Sequence, residues 1–284
     1  AAEHLISYHV VTHGEAWGHR LRDTPQRLVA GDIIVFPHGD AHVMSSAPGM
    51  RDQPHPEMYR RPAHAQLPIN LAMGDAPMQE PARVVCGFLG CDARPFNPLL
   101  AALPRVIHLH NEDGSAVRAL ASFAVAESKQ PRIGGECVLG RLSELMFVDV
   151  VRRYIESLPE GRTDWLAGLR DTFVGRALTA LHASPAHNWT LEALAREVGL
   201  SRSAIAERFT EFVGLPPMQY LTNWRMQLAA NHLLNGVESV GEVADLVGYE
   251  SEAAFSRAFK KAVGVPPGQW RKHRASAGDA LAAV

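Results

Sequence analysis

Two cysteines, Cys86 and Cys91, are the residues whose type and spacing most directly suggest chemistry in this chain. They lie five positions apart in the stretch Val84–Asp92, which is predicted to be a strand entering a glycine-containing turn. Thiolates at such a turn could, with histidines, hold Zn²⁺ in a tetrahedral site. Two alternatives stay open at this point. The thiols could form a redox pair that reports hypochlorite or peroxide, or they could be a buried small residue and a turn residue.

The stretch Gly31–His42 reads as a Gly-Asp turn, a buried strand and then Pro-x-Gly-x-x-His. This pattern resembles the second motif of cupin β-barrels, a family in which the last histidine points into the barrel. The resemblance therefore implies that His42 faces inward, where it could supply an imidazole. His9, on an early strand, is the best candidate for a fourth ligand beside His42, Cys86 and Cys91. A donor set of two thiolates and two imidazoles favours zinc over iron or manganese.

The first cupin motif, with its His-x-His and Glu, is not recognisable. His4 and His9 lie near the expected place, but their spacing does not fit that motif. We therefore predict that the chain is not an enzyme. A metal-dependent cupin enzyme fused to a second domain is the alternative from another class of protein.

Residues 189–274 contain nearly the same pattern twice, since Leu194–Ser201 corresponds to Val243–Ser251. In each copy a short helix is predicted to stop at a glycine, and a second helix begins after a serine N-cap. Two short helices joined by a tight turn form a helix-turn-helix, whose second helix can enter the major groove of DNA. Between the copies, Pro217–Asn235 is predicted to be one long helix that fixes the distance between them. A helical bundle without DNA is the alternative for one copy, but the repetition favours DNA binding.

The repeat closely resembles the DNA-binding domain of the AraC/XylS family of transcription regulators. The matching residues are Ala195, Gly199, Ser201, Arg208-Phe209, Gly214 and Pro217, then Val243-Ala244, Gly248-Tyr249, Phe255–Lys261 and Gly264–Pro267. The resemblance implies a regulator that binds double-stranded DNA as a homodimer, senses a small-molecule effector, metal or oxidant, and contacts RNA polymerase if it is an activator. The stretch from Cys86 to Pro104 also resembles the sensor half of a cupin-like subgroup, in which some members respond to oxidants through cysteines.

The residues predicted to face the groove are those that remain once the apolar face of each second helix is assigned to the core. They are Arg202, Ser203, Ala206 and Glu207 in the first copy, and Glu252, Ala253, Ser256 and Arg257 in the second. Arg257 can make a bidentate contact to guanine, and Glu207 or Glu252 can accept a hydrogen bond from cytosine. Ala206 and Ala253 offer only a contact to the thymine methyl group, and Arg202 can dock on phosphate.

These elements predict an α+β fold. A cupin-like β-barrel with flanking dimerisation helices fills residues 1–160, and an all-α domain of two helix-turn-helix motifs fills residues 165–276. Two amphipathic helices are predicted at 115–128 and 136–157. The second is apolar on more than one face, so one face is predicted to cover the barrel and the other to meet a twin chain, unless both are covered within one chain. The C-terminal helical domain is predicted to begin with one helix, Trp165–Ala183. The segment Met50–Pro81 is dense in prolines and is predicted to be a surface loop.

The composition is that of an ordinary globular chain, with 284 residues, 46% hydrophobic and 20% charged. No apolar run approaches the roughly 18 residues of a membrane span, and three cysteines do not make a disulfide framework, so a cytoplasmic location is expected. The net charge of −2 does not itself indicate nucleic-acid binding. However, Ala253–Gly278 contains six Lys or Arg and no Asp or Glu, which suits a protein of which one part touches phosphate.

Overall fold

A computed structural model of the chain describes residues 4–50, 82–92, 94–110, 116–130 and 132–272. The strands are β1 (His4–His13), β2 (Glu15–Arg20), β3 (Gln26–Val29), β4 (Ile33–Phe36), β5 (His42–Ser45), β6 (Arg83–Cys91) and β7 (Ile107–Leu109). The helices are α1 (Pro98–Ala102), α2 (Ala116–Lys129), α3 (Gly135–Glu156), α4 (Trp165–Arg170), α5 (Thr172–Ala183), α6 (Leu191–Val198), α7 (Arg202–Val213), α8 (Pro217–Asn235), α9 (Val240–Leu246) and α10 (Glu252–Val263). The loop predicted for Met50–Pro81 lies, beyond Met50, outside the described residues.

The N-terminal unit comprises the described parts of 4–91 and 104–157. Its strands form one sheet in the order β6-β1-β4-β7 and a second in the order β3-β2-β5, and every pair is antiparallel. A buried apolar cluster takes side chains from both sheets: Val11, Ala16, Leu28, Ile34 and Phe36. The predicted α+β class is therefore confirmed, with the β-rich part first and the helical part last.

Strand alternation assigns the functional side chains of the larger sheet to one face. His9 is paired with Cys86 on β6 and with Ile34 on β4, and Ile34 is paired in turn with His108 on β7. Because directly paired residues share a face in an antiparallel sheet, these four side chains lie in a row across it. Ile34 belongs to the apolar cluster, so the row lies on the face that looks toward the second sheet.

The C-terminal unit comprises the described parts of 92–103 and of the chain from Leu158 onward. It has two hydrophobic cores, and α8 contributes to both. Tyr220 and Leu221 join the core of α5, α6 and α7, while Met226 and Leu233 join the core of α9 and α10. One helix therefore packs in the cores of both helix-turn-helix motifs, and the long helix predicted over Pro217–Asn235 is confirmed.

The caps of the helix-turn-helix motifs are the ones read from the sequence. Ser201 accepts a hydrogen bond from the Ala204 amide at the start of α7, and Ser251 does the same at the start of α10. Gly199 ends α6 with φ of 78°, in the left-handed region that glycine adopts without strain. The prediction of one helix over Trp165–Ala183 is wrong. The carboxylate of Asp171 accepts hydrogen bonds from the amides of Phe173 and Val174, which starts a new helix, α5.

Helices α2 and α3 occupy the two segments predicted to be helical after the barrel. On α3 the buried residues include Leu142, Met146 and Val150. A neighbouring face of α3 carries the exposed apolar side chains of Leu145 and Val148. Among the described helices none combines the length and the apolar character needed to cross a membrane.

Candidate DNA interface and sensor site

The second helix of each helix-turn-helix exposes the residues predicted to read DNA. Ile205 and Phe209 on α7, and Phe255 and Phe259 on α10, are fully buried. The eight predicted contact residues are all exposed or half-buried, with the same pattern in both copies: Arg202, Ser203, Ala206 and Glu207, then Glu252, Ala253, Ser256 and Arg257. Each second helix therefore anchors one face in its own core and leaves the other face available to a partner.

The arginines of the two helices have different surroundings. On α7, the Arg208 guanidinium donates to both carboxylate oxygens of Asp171, with Nε at 3.0 and 3.1 Å, and lies 5.7 Å from the centres of the Phe173 and Phe212 rings. These hydrogen bonds hold the pKa of Asp171 below its usual range. Arg208 is thus engaged in an ion pair and in packing against two aromatic rings. Arg257 on α10 is exposed.

Arg225, on the long helix α8, links the two motifs. Its guanidinium donates to the carbonyl oxygens of Pro185 at 2.7 Å and His187 at 2.9 Å, in the loop that leads into α6. The same group lies 5.9 Å from the ring centre of Tyr249, in the turn between α9 and α10. Sequence reasoning missed Arg225, because only the fold brings these two segments to the same point of α8.

In the N-terminal unit, three of the four predicted ligands, His9, His42 and Cys86, form a connected chain. Nδ1 of His9 lies 2.8 Å from the sulfur of Cys86, and Nε2 of His9 lies 2.8 Å from Nε2 of His42. Nδ1 of His42 lies 2.8 Å from the carbonyl oxygen of Asp40. The ring of His42 also stacks on Phe36, with 4.0 Å between ring centres.

The acceptor at one end fixes the direction of every hydrogen bond in this chain. A carbonyl oxygen can only accept, so Nδ1 of His42 carries the proton and Nε2 of a neutral His42 accepts. Nε2 of His9 must then donate, which leaves its Nδ1 to accept from the Cys86 thiol. Burial lowers the pKa of His9 to about 3. Desolvation raises the pKa of Cys86 to about 11, although the residue keeps an exposed surface. Neutral imidazoles beside a protonated thiol are therefore the stable forms near pH 7.

Cys91 does not take part in the hydrogen bonds that connect Cys86, His9 and His42. The turn predicted between Cys86 and Cys91 is absent. The whole segment from Arg83 to Cys91 is one strand, with Cys91 paired to His4 and Cys86 paired to His9. An odd separation along a strand puts the two thiols on opposite faces. Gly87, one of the two glycines between the cysteines, lies within this strand opposite Tyr8, where any Cβ would come within 2.2 Å of the Tyr8 ring.

A second polar cluster, missed by the sequence interpretation, lies where β4 begins and β7 ends. Oδ2 of the buried Asp32 is 3.2 Å from Nε2 of His108 and 3.4 Å from Nδ1 of His110. Burial lowers the pKa of His108, and the hydrogen bond to Asp32 works in the opposite direction. The available signal was a His-x-His pair at the end of one short strand, β7, and an Asp directly before another, β4. Recognising it requires the register between residues 76 positions apart.

The segment Asp92–Leu103, which separates β6 from β7 in sequence, belongs to the C-terminal unit. The Phe96 ring packs edge-on against Tyr220 with 5.4 Å between ring centres, and the Phe96 amide donates to Oε1 of the buried Gln227 at 2.8 Å. The side-chain Nδ2 of Asn231 donates to Oδ2 of Asp92 at 3.3 Å. The described residues of this segment thus contact α8 at Tyr220, Gln227 and Asn231.

Comparison with known families agrees with this architecture. Residues 1–156 match the family described as Cupin, and residues 194–273 match the family described as Helix-turn-helix domain. The chain therefore belongs to the cupin family and carries an AraC-type helix-turn-helix domain after its cupin part. The resemblance to AraC-type regulators that the sequence suggested is confirmed.

Several curated relatives are transcription regulators. An AraC-like transcription regulator of Streptomyces lividans is 40% identical over 178 residues, which is 62% of this chain and 58% of that protein. AlkR of Acinetobacter baylyi is 29% identical over 277 residues, covering 95% of this chain and 89% of AlkR. The RCS-specific activator RclR of Escherichia coli is 28% identical over 263 residues, covering 87% of this chain and 91% of RclR. The match thus spans less than two thirds of the Streptomyces protein.

Proposed function

We propose that this protein is a transcription regulator that binds double-stranded DNA in a sequence-specific way and responds to a signal received by its cupin domain. The observation that carries the proposal is the repeated exposure pattern of α7 and α10. Each helix has its apolar face in a separate core and its polar face exposed. Helix α8 spans both cores, so the two reading helices are held at a fixed separation. This is the arrangement required to enter two major-groove segments of one duplex.

The exposed side chains suggest distinct roles for the two reading helices. Arg257 is suited to a bidentate contact with guanine, and Glu252 or Glu207 to accepting a hydrogen bond from cytosine. Ser203 and Ser256 can donate to base edges or phosphates, Ala206 and Ala253 can contact thymine methyl groups, and Arg202 can contact phosphate. Sequence reading is therefore concentrated on α10.

Selection of binding sites from a pool of random duplexes tests this proposal. We expect a site with two half-sites in successive major-groove segments on one side of the helix. Inserting five base pairs between the half-sites turns one of them by about half a helical turn, so affinity should fall at least ~100-fold toward the non-specific level. The matched control carries the same five base pairs outside the half-sites and should bind normally. Enrichment of no sequence, or equal binding of both duplexes, would contradict the proposal.

The signal-receiving site that we propose in the cupin unit is the chain Cys86–His9–His42. The zinc hypothesis for His9, His42, Cys86 and Cys91 stays a prediction. Two observations argue against a single site with all four ligands. His9 lies between Cys86 and His42, and Cys91 lies on the opposite face of the strand. Metal analysis of the purified protein, with Cys86→Ser as the comparison, tests it. Loss of one equivalent of zinc in Cys86→Ser would support the hypothesis, and equal metal content would contradict it.

The strand geometry excludes a disulfide between Cys86 and Cys91 as the basis of oxidant sensing. Two Cα atoms five positions apart on one strand are separated by roughly 16 Å, whereas a disulfide needs less than about 7 Å. Cys86 and Cys91 therefore cannot join while β6 is intact, and oxidant sensing would have to act on each thiol singly. The cupin-enzyme alternative is disfavoured because the first cupin motif is absent and the relatives are named as regulators.

Segment Asp92–Leu103 is our proposed route from the cupin unit to the reading helices, because it continues the strand that carries Cys86 and packs on α8. Blocking the Cys86 thiol with N-ethylmaleimide should change hydrogen exchange in α8, with Cys86→Ser as the control for the other thiols. Phe96→Ala removes the ring contact but keeps the backbone hydrogen bond, and it should weaken that change. Unaltered exchange in α8 after the block would contradict the route.

Dimer formation through α3 remains a proposal, supported by the exposed apolar side chains of Leu145 and Val148 beside the buried face. Leu145→Lys should convert a dimer into a monomer in sedimentation, with Arg152→Lys as the control on the same helix. A dimer that persists in Leu145→Lys would exclude this face. Contact with RNA polymerase would accompany an activating role.

A further inference from the structure

The pairing of β4 with β7 brings an acidic side chain and two imidazoles together at one end of the larger sheet. Ile33 is paired with Leu109, and Ile34 with His108. Continuing this register by one position sets Asp32 beside His110. Residues 108 and 110 share a strand face, as do residues 32 and 34, so all three polar side chains lie on the same side.

The separations between their ligand atoms match those around a metal ion. Ligand atoms about 2.0–2.2 Å from a tetrahedral zinc ion lie roughly 3.3–3.6 Å from one another. Oδ2 of Asp32 is 3.2 Å from Nε2 of His108 and 3.4 Å from Nδ1 of His110, and all three ligand atoms lie within 4.8 Å of one another. The two separations from the carboxylate oxygen are therefore close to those expected around a shared ion.

The surroundings hold these ligands in place. Asp32 is 1% exposed, and its Oδ2 also accepts a hydrogen bond from the amide of Val29 at 3.1 Å. Arg153 donates to the carbonyl oxygen of His110 at 2.9 Å, which fixes the backbone at the second histidine. Partners that orient the ligands in this way are typical of metal sites in proteins. The side chain of His110 is 76% exposed, so an ion can enter from that side.

We infer that Asp32, His108 and His110 form a site for a divalent transition-metal ion, with at least one position left for water or an anionic ligand. Two imidazoles and one carboxylate are donors that suit Zn²⁺ and its neighbours better than Ca²⁺ or Mg²⁺. This site is distinct from the chain Cys86–His9–His42. The row His9, Ile34, His108 crosses three adjacent strands, so the two clusters are separated by two strand spacings, roughly 10 Å, with Ile34 between them.

Titration of the metal-free full-length protein with Co²⁺, followed by visible absorption, and with Zn²⁺ against a chelating dye tests the inference. We expect wild-type protein and Cys86→Ser to bind one equivalent at this site. His110→Ala should weaken its binding at least tenfold, and since His110 is exposed the fold should survive. His13→Ala, which removes another exposed histidine of the same unit, is the matched control and should bind like wild type.

A second measurement separates metal binding from a general loss of structure. Binding to the folded state alone raises the melting temperature, so Zn²⁺ should stabilise wild type and His13→Ala but not His110→Ala. Asp32→Asn keeps the shape of the side chain and should also lose the effect. The inference is overturned if His110→Ala binds and is stabilised like wild type, or if Cys86→Ser loses the ion while His110→Ala keeps it.

Discussion

The two helix-turn-helix motifs place similar backbones in different surroundings. In the first, the arginine that follows Glu207 is Arg208, which is bound to Asp171 and packed against aromatic rings. In the second, the arginine lies one position earlier, at Arg257, on the exposed face of α10. Charge differs as well, since α7 carries two Arg and two Glu, whereas α10 carries one Glu against one Arg and two Lys.

On this difference we base the proposal that the two motifs have different roles in DNA binding. The first motif packs against α4 and α5, and its exposed face offers few side chains that could hydrogen-bond to bases. The second motif combines a free guanidinium-bearing face with a positive charge that attracts phosphate. In this proposal both copies keep their packing residues, while sequence reading is concentrated in the second copy.

The turns of the two motifs provide the largest expected contrast. Gly199 and Gly248 have φ of 78° and 79°, but a Cβ at Gly199 meets nothing within 4 Å, whereas one at Gly248 comes within 2.5 Å of the Ala186 carbonyl oxygen. Gly199→Ala should cost about 1–2 kcal/mol, the price of the left-handed backbone alone. Gly248→Ala adds a backbone clash and should cost about 3 kcal/mol or more. Urea unfolding of both variants measures the difference, and equal losses would refute the tighter packing of the second turn.

Removal of the exposed guanidinium tests the proposed division of labour directly. Arg257→Ala should remove the discrimination for the matching guanine without altering the fold, because a bidentate guanine contact contributes about 1–3 kcal/mol of discrimination. Gel-shift titrations against the selected site and a site with the matching guanine replaced measure the loss. Arg202→Ala is the control, and it should weaken binding to both duplexes about equally. Unchanged affinity in Arg257→Ala would assign the reading of sequence elsewhere.

The parts of this molecule that sequence predicts well are those specified by neighbouring residues. Ser201 and Ser251 cap helices within three positions of themselves, and Gly199 ends a helix with its own φ, so both motifs could be located from the chain alone. The turn predicted between Cys86 and Cys91 was wrong. Glycine is needed at residue 87 because the Tyr8 ring on the adjacent strand leaves no room for a Cβ, and not because the backbone turns there.

In the candidate sensor site, too, local sequence patterns identify some residues, while others depend on how the strands pair. The cupin-like motif identified His42, and the early strand identified His9, but sequence spacing could not show that Cys86 and Cys91 lie on opposite faces of one strand. Asp32 and His108 were missed because their contact depends on the register of β4 with β7. Strand register is fixed by side-chain packing over the whole sheet, which no local pattern contains.

Arg225 should matter for the geometry between the motifs more than for either motif alone. Arg225→Met keeps the apolar stem but removes hydrogen bonds to two loop carbonyls, so it should destabilise the protein by about 1–3 kcal/mol. It should also lessen the penalty for five inserted base pairs between half-sites, since the loop before α6 and the turn before α10 lose their shared anchor. Arg225→Lys, which can keep one hydrogen bond, should be intermediate. A full spacing penalty in Arg225→Met would show that α8 alone sets the separation.

The smallest expected effect concerns the ion pair that holds Arg208 in the first motif. Asp171→Asn keeps an oxygen to cap α5 but removes the charge, and because the Arg208 side chain is 44% exposed the loss at pH 7 should be below about 1 kcal/mol. Arg208 lowers the folded-state pKa of Asp171, so the ion pair contributes fully above the unfolded pKa of about 4, and its contribution disappears as the pH falls through the lower folded value. Urea unfolding of both proteins from pH 7 down to pH 2 should therefore show a difference that shrinks below pH 4. No counterpart is expected in the second motif, where the position matching Arg208 is Ala258. A difference that persists unchanged at pH 2 would mean that Asp171 acts through its cap rather than through Arg208.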